Sequence, residues 1–233
     1  MKEHVLERIR LIEDLPTLPS VAIEVLSLAH QPDVSIQGIA ECIHRDPPLA
    51  AKVLKMANSV FYRRGDRKVE TLHHAIMFLG LAEIINITTS LSVFSALKSR
   101  KAQEVSVRES FWDHSVATGL IARHIDRKLG MRTMGREVVA GLLHDIGKIL
   151  LDQYFHREFM AAYNMSIEKD RPMYETEMEL CGTNHMEVGF FIARKWNLPS
   201  YLADVILWHH QPSQASSPEM AALVSMANLL AKA

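Results

Sequence analysis

Apolar residues recur at three- and four-residue spacing through most of the first hundred positions, and this pattern restricts the fold more than any other feature of the sequence. The two clearest series are Val21, Val25 and Leu28, followed by Ile36, Ile39, Ala40 and Ile43. Such spacing puts the apolar side chains on one face of an α-helix. The sequence therefore predicts helix after helix, and an all-α fold in which these faces pack together as a multi-helix bundle.

Residues that start or end helices occur where this pattern needs them. Ser35 is placed to cap a helix beginning at Ile36, and Asp46, followed by two prolines, to start a helix over residues 49–59. Gly80 interrupts the apolar stretch 72–97, so we predict two helices there rather than one. The β-branched run 84–89 is compatible with a strand, but its flanks carry the helical spacing and lack hairpin turns, and we predict helix.

Composition excludes several classes of protein. Apolar residues make up 48% of the 233 residues and charged residues 23%, which is ordinary for a globular chain, and no segment is both long and apolar enough to cross a bilayer. The net charge of -1 argues against a broad electrostatic grip on nucleic acid. Cys42 and Cys181 lack CxxC spacing, so neither a disulfide framework nor a thiolate metal site is indicated, and we expect buried thiols.

The two ends of the chain give expectations about location and length. The first fifteen residues carry acidic side chains where a secretory signal would have an apolar core, so we expect a cytoplasmic protein without membrane contact. Residues 229–233 have helical composition without a terminating signal, and we expect further helices to follow in the natural chain.

A polar, charged run at 98–104 separates two parts of the chain that differ in chemistry. We predict an N-terminal helical lobe over residues 1–100 and a second lobe over residues 101–233. Histidines of the first part, such as His44 and His73, form no recognisable arrangement, whereas those of the second part lie in short motifs. The second lobe is therefore where we expect a functional site.

An adjacent histidine and aspartate are the centre of that expectation. His144 and Asp145 directly follow the apolar run 138–143, which predicts that both are buried and need a partner. Neighbours on a helix diverge by about 100°, so other helices must complete any metal site. The histidines available for this are His114, His185, His209 and His210. Imidazole and carboxylate ligands suit Zn, Fe, Mn or Ni.

Three further side chains near these motifs need an assignment. Lys148 lies one helical turn beyond His144, where it either meets a phosphate oxygen or extends along the surface with its charge in water. Of these two, we favour the surface lysine. His124 and His156 have charged neighbours, and we expect both to be solvated and outside the site.

Residues 142–148, with the sequence Leu-Leu-His-Asp-Ile-Gly-Lys, resemble the signature of the HD superfamily of metal-dependent phosphohydrolases, and His114 matches its upstream histidine. The rest of the chain resembles one branch of that superfamily, the HDOD (HD-related output domain) family. The segments that carry this resemblance are 15–19, 46–59 and 75–80 in the first half and 185–189, 196–199 and 209–212 in the second. The resemblance covers nearly the whole chain.

The resemblance implies a helical bundle in two lobes, the C-terminal one HD-like, that serves in bacteria as a signalling or regulatory output module with a protein partner. The HD enzymes that hydrolyse cyclic dinucleotides imply one or two divalent transition-metal ions. The matching residues are His114, His144, Asp145, His185, His209 and His210. Two departures count against catalysis: Asn228 stands where those enzymes have a late aspartate, and the segment after His210 lacks their DGxGYP-like continuation.

Three functions are open at this point. The first is a non-catalytic interaction module that keeps a metal site or its relic. The alternative is a metal-dependent phosphohydrolase acting on a nucleotide or phosphate ester, with Asp145 and Lys148 in its catalytic centre. The third is DNA binding by residues 35–59 as a helix-turn-helix, which is disfavoured because Lys52 and Lys55 are the only basic groups of the second helix. We therefore expect no nucleic-acid partner.

Overall fold

The computed structural model describes residues 19–29, 33–59, 62, 68–96, 105–133 and 135–232. In chain order the helices are α1 (Ser20–Ala29), α2 (Ile36–His44), α3 (Pro47–Ala57), α4 (Leu72–Leu79), α5 (Leu81–Ala96), α6 (Val105–Leu129), α7 (Arg136–Leu143), α8 (Ile146–Tyr154), α9 (His156–Glu168), α10 (Met173–Cys181), α11 (His185–Lys195), α12 (Ser200–Trp208) and α13 (Pro218–Leu230), with a 3-10 turn at Pro212–Gln214. No strand occurs within the described ranges. The predicted all-α bundle is confirmed.

The predicted starting residues of two helices are confirmed, although α3 covers Pro47–Ala57 and so ends two residues before the predicted Ser59. The Ser35 hydroxyl accepts a hydrogen bond from the Gly38 amide at 2.9 Å, and the Asp46 carboxylate accepts one from the Leu49 amide at 3.0 Å. Each bond satisfies an amide that the first turn of a helix leaves without a partner. The side chains that start α2 and α3 are therefore the ones that the sequence indicated.

Gly80 separates α4 from α5, as predicted, and residues 84–89 are helical. Its φ of 92° lies in a region that glycine enters without steric cost. Among the described residues no single helix has the length and hydropathy to span a membrane. Only α4 together with the first part of α5 reaches that threshold, and these two segments meet at an angle of 118°.

Three clusters of buried side chains form the core of the described residues, the smallest of which contains Ala122, Leu223 and Ala227. The other two are much larger. One is centred on Ile39, Ile43 and Leu72, and the other on Leu150 and Ile206. Helices α1 and α5 contribute to both of the larger clusters, so they join the two halves of the molecule. The proposed boundary run 98–104 lies outside the described residues, and the division into lobes 1–100 and 101–233 stays a prediction.

Glycines allow two close helix crossings beside the His-Asp motif. A Cβ on Gly141 of α7 would lie 2.6 Å from the Gly119 Cα of α6. A Cβ on Gly147 of α8 would lie 1.9 Å from the carbonyl oxygen of His185, the first residue of α11. Both contacts are with backbone atoms, which cannot move aside as a flexible side chain does. These crossings let α6 and α11 approach residues 144–145.

We predict that Gly147→Ala lowers the free energy of unfolding by about 3 kcal/mol, the upper end of the usual range for overpacking, because a clash with backbone forces two helices apart. Chemical denaturation followed by circular dichroism, in the presence of a chelator, measures this. Gly38→Ala is the matched control, since its Cβ would meet only the Ser35 hydroxyl, at 3.1 Å. An equally small effect of both changes would contradict the tight crossing.

Candidate metal centre

The Asp145 carboxylate lies at the centre of a cluster of histidines. Its Oδ2 atom is 3.2 Å from His144 Nε2 and 3.9 Å from His114 Nε2. Its Oδ1 atom is 3.3 Å from His185 Nε2 and 3.5 Å from His209 Nε2. One carboxylate therefore faces two histidines with each of its oxygens.

The sixth predicted residue, His210, completes the second side of this cluster. Its ring centroid lies 4.2 Å from that of His209 and 5.4 Å from that of His185. The structure thus brings all six predicted residues together. They form two adjoining groups: the HD group (His114, His144, Asp145) and the triple-histidine group (His185, His209, His210). Within each group the potential ligand atoms lie within 4.8 Å of one another.

Helix ends position most of these side chains. Helix α7 ends at Leu143 and α8 begins at Ile146, so His144 and Asp145 lie at the junction between two helices. His185 is the first residue of α11, and its neighbour Asn184 caps that helix by accepting a hydrogen bond from the Glu187 amide at 3.0 Å. Successive side chains within a helix point about 100° apart, but residues at a junction between helices do not follow this rotation. Adjacent residues there can therefore face the same cavity.

The rings of three histidines are held by hydrogen bonds on the side away from Asp145. His144 Nδ1 is 2.7 Å from the Gly141 carbonyl oxygen, and His209 Nδ1 is 3.0 Å from the Ile206 carbonyl oxygen. A carbonyl only accepts, so each Nδ1 carries the hydrogen, and Nε2 of the neutral ring keeps its lone pair. This arrangement is how proteins orient histidine ligands of metals.

Glu177 plays the same part for His185. Its Oε2 atom accepts hydrogen bonds from His185 Nδ1 at 2.6 Å and from the His185 backbone amide at 2.8 Å. Glu177 is fully buried on α10. Sequence analysis missed this residue, since it stands eight positions before His185 in a helix with no recognisable motif.

Burial favours the neutral form of three histidines of the cluster. It lowers the pKa of His209 from 6.5 to about 3 and also lowers the pKa of His114 and His210. Burial by itself would raise the pKa of Asp145, but the neighbouring His144, Lys148 and His185 outweigh it and hold that pKa well below the ordinary value. Neutral imidazoles at His114, His209 and His210 beside an ionised carboxylate suit metal binding, because a metal needs a deprotonated nitrogen or oxygen.

Two buried atoms of the cluster support a metal directly. Among the described residues, His144 Nε2 and Asp145 Oδ1 are buried without any hydrogen-bond partner. An unpaired polar atom in the interior is costly unless a ligand, ion or water engages it. Nitrogen and oxygen donors in this number fit a divalent transition metal. The residues present therefore fit the metal that the sequence led us to expect.

The HD group differs from the triple-histidine group in its contacts with Lys148 and Asn228. Lys148 Nζ lies 2.5 Å from Asp145 Oδ2, and the side chain is buried. The expectation of a surface lysine was therefore wrong, because the ion pair with Asp145 compensates for its burial. Asn228 Oδ1 lies 2.9 Å from His114 Nε2. Both contacts are made on the HD group.

The remaining predicted side chains lie outside the cluster. His124 is exposed on α6, and His156 is half exposed and pairs with Asp152, with Nδ1 2.7 Å from Oδ1. Cys42 and Cys181 are buried thiols that are not joined in a disulfide, as expected. None of these four belongs to either metal-binding group.

Comparison with known proteins supports the architecture. A crystal structure of an HDOD domain protein of unknown function from Geobacter sulfurreducens superposes with a TM-score of 0.82 at 27% identity, over 97% of this chain and 76% of that one. A candidate signal transduction protein from Marinobacter aquaeolei gives 0.72 at 25% identity, over 93% and 49% of the two chains. An uncharacterized protein of Treponema pallidum is 25% identical over 200 residues.

That alignment covers 85% of this chain but only 38% of the Treponema protein. The model of the HDOD domain matches residues 15–212, which is most of the chain and includes Asp145 and all five histidines around it. The chain therefore belongs to the HDOD domain family.

Proposed function

We propose that this chain is a regulatory output module that binds one divalent metal ion at the triple-histidine group and acts by contact with a signalling protein rather than by catalysis. The observation that carries the proposal is the unequal use of the two oxygens of Asp145. Oδ2 is engaged by Lys148, whereas Oδ1 has no hydrogen-bond partner among the described residues.

The triple-histidine group offers the better metal position. His185 and His209 direct their Nε2 atoms toward Asp145 Oδ1, at 3.3 and 3.5 Å. Among the described residues no lysine or arginine pairs with Oδ1, since Lys148 pairs with Oδ2. With His210 these side chains provide three nitrogens and one oxygen, which is the ligand number that zinc and related ions take in closed structural sites.

Protein atoms already engage two of the three side chains of the HD group, Asp145 and His114. The Lys148 ammonium neutralises Asp145 on the Oδ2 side, and a second cation there would be repelled by it. The Asn228 amide oxygen accepts a hydrogen bond from His114 Nε2, so this nitrogen carries a hydrogen and has no lone pair free for a metal. An amide is also a poorer metal ligand than the aspartate it replaces. A single metal ion leaves the molecule without the paired centre that cyclic-dinucleotide hydrolysis requires.

The family and one relative support a signalling role. The candidate signal transduction protein of Marinobacter aquaeolei shares the fold of this chain at 25% identity. We propose the same class of role here, in the cytoplasm of a bacterium, with a protein partner and with the metal acting to stabilise the C-terminal lobe. DNA and membranes are not proposed as partners.

A phosphohydrolase is the second candidate, favoured by the retention of all five histidines with Asp145. A divalent metal would supply Lewis-acid activation of water and of a phosphoryl oxygen. Lys148 would then leave Asp145 to pair with a phosphate oxygen of a nucleotide or phosphate ester, and the buried walls of the site would exclude bulk water. This rearrangement breaks the 2.5 Å ion pair.

A hydrolysis screen separates the two candidates. The metal-loaded chain is incubated with cyclic dinucleotides, nucleoside phosphates and a chromogenic phosphate ester, in Mn²⁺, Fe²⁺ or Zn²⁺. We expect no turnover above that of Asp145→Asn, because the HD group is closed. Turnover that is lost in Asp145→Asn but kept in His124→Gln would overturn the non-catalytic proposal in favour of the hydrolase.

We predict that the chain purified without an affinity tag contains about one transition-metal ion, and that His209→Gln contains almost none. Elemental mass spectrometry measures the content, and circular dichroism verifies that both proteins are folded. His124→Gln, the same change at an exposed histidine of α6, should keep the metal.

The same measurement tests the asymmetry of the two groups. In excess Mn²⁺ the Lys148→Met/Asn228→Asp variant should hold about two ions, because the ammonium is gone and a carboxylate is added. Lys195→Met, at an exposed lysine of α11, is the control for loss of charge. Two ions in the wild-type chain would show that Lys148 does not close the HD group.

The free energy of unfolding of the metal-free protein, kept in a chelator, should fall as the pH falls below about 6.5. The pKa of His209 is about 3 in the folded chain and about 6.5 when unfolded, so between these values the unfolded state binds more protons and the free energy of unfolding decreases with acidity. Urea denaturation at pH 7.5, 6.0 and 5.0 measures the slope. His209→Gln should reduce it by up to about 1.4 kcal/mol per pH unit, and His124→Gln should leave it unchanged. Equal slopes in the wild-type chain and His209→Gln would contradict this origin of the acid sensitivity.

A further inference from the structure

A second cavity lies between the helices of the first half and helices α6 and α7. It has a volume of about 320 Å³. Its lining comes from α3, the segment after it, α5, α6 and α7. This volume is at the lower end of the roughly 300–1,000 Å³ of pockets that hold small ligands. It is separate from the candidate metal centre, since neither Asp145 nor any of the five histidines around it lines the cavity.

The walls of this interhelical cavity are mainly apolar. Helix α6 presents Trp112, Val116 and Leu120, which are spaced four residues apart and so share one face. Helix α7 adds Val138 and Leu142 from the opposite side. Filling the cavity with water would take about ten molecules at roughly 30 Å³ each, in a space with few groups to bind them. An apolar ligand suits such walls better than water does.

Two serine hydroxyls in the lining have no partner. Ser59 Oγ and Ser90 Oγ are buried without any hydrogen bond among the described residues, and both residues line the cavity. Ser90 is itself only 5% exposed. A buried hydroxyl without a partner costs about 1–3 kcal/mol, which a ligand with a matching polar group would recover. These hydroxyls indicate a ligand that is apolar but carries a hydrogen-bonding group.

The charge of the lining indicates a neutral ligand. Glu83 is the only charged residue among the described lining side chains, and it is already paired. Its Oε1 atom accepts hydrogen bonds from the Tyr62 hydroxyl at 2.5 Å and from Arg123 Nη1 at 2.8 Å. With this carboxylate neutralised, the described lining residues offer no free charge to bind an ionic group.

We propose that this cavity is a binding site for a neutral, largely apolar small molecule with one or two hydrogen-bonding groups. The ligand would contact α6 through Trp112 and α7 through Leu142, each two residues before a histidine of the HD group. A molecule bound there touches both halves of the chain, as the input site of a regulatory module would. The site does not depend on the proposed metal or on catalysis.

The first test uses N-phenyl-1-naphthylamine, a neutral aromatic probe whose fluorescence rises in apolar surroundings, with the full chain at pH 7.5 in a chelator. We expect saturable binding of one probe per chain, with energy transfer from Trp112. Val116→Phe narrows the cavity and should weaken binding at least tenfold. Leu120→Trp, at a side chain that is 39% exposed and so tolerant of change, is the second filling variant.

Two controls establish where the probe binds. Trp112→Phe should reduce energy transfer while the affinity measured by direct excitation stays within about threefold, since aromatic area is kept. Ile167→Phe enlarges an exposed apolar side chain outside the lining, on α9, and should change nothing. Binding that does not saturate, or that both filling variants leave unchanged while remaining folded, would overturn the site.

A matched pair of competitors tests the role of the hydroxyls. 2-Naphthol and 2-methylnaphthalene have nearly the same shape, but only naphthol forms hydrogen bonds. Naphthol should displace the probe at roughly two- to tenfold lower concentration, and Ser59→Ala/Ser90→Ala should abolish that difference. Equal competition by the two compounds in the wild-type chain would overturn the assignment of a ligand with a polar group.

Discussion

The burial of one ionised carboxylate is the constraint on which the C-terminal part of this molecule depends. Asp145 is 2% exposed, and an unpaired charge in such a position would destabilise the fold by several kcal/mol. The chain surrounds it with Lys148 and with four imidazole nitrogens within 3.9 Å. The helices that carry these groups are thereby required to meet at one point.

This requirement accounts for features that otherwise look unrelated. Gly119 and Gly141 allow α6 and α7 to touch, and Gly147 allows α8 to cross the start of α11. Glu177 is buried on α10 because it holds the ring and the amide of His185. Each of these residues acts on the position of a histidine of the cluster. The surrounding helices thus pre-arrange the cluster, as metal sites generally require.

The two inferred sites share the helices α6 and α7. His114 and Trp112 lie on α6. Leu142 lies on the last turn of α7, two residues before His144. The candidate metal centre is polar and charged, whereas the interhelical cavity is mainly apolar, with two hydroxyls that have no hydrogen-bond partner among the described residues. A change in the packing of either helix would reach both sites, so the proposed ligand and the proposed metal would act on the same structural elements.

The sequence by itself determined the all-α class, the caps at Ser35 and Asp46 and the break at Gly80, because these depend on local spacing and on hydrogen bonds within one turn. It also identified the residues around Asp145, through the His-Asp motif and a family resemblance that covers nearly the whole chain. Only the tertiary structure could decide how those residues divide. The burial of Lys148, its ion pair with one oxygen of Asp145, and the contact of Asn228 with His114 arise between separate helices. The support of His185 by Glu177 and the cavity between α5, α6 and α7 are likewise products of packing, since the spacing of residues along a chain does not specify which atoms meet across it.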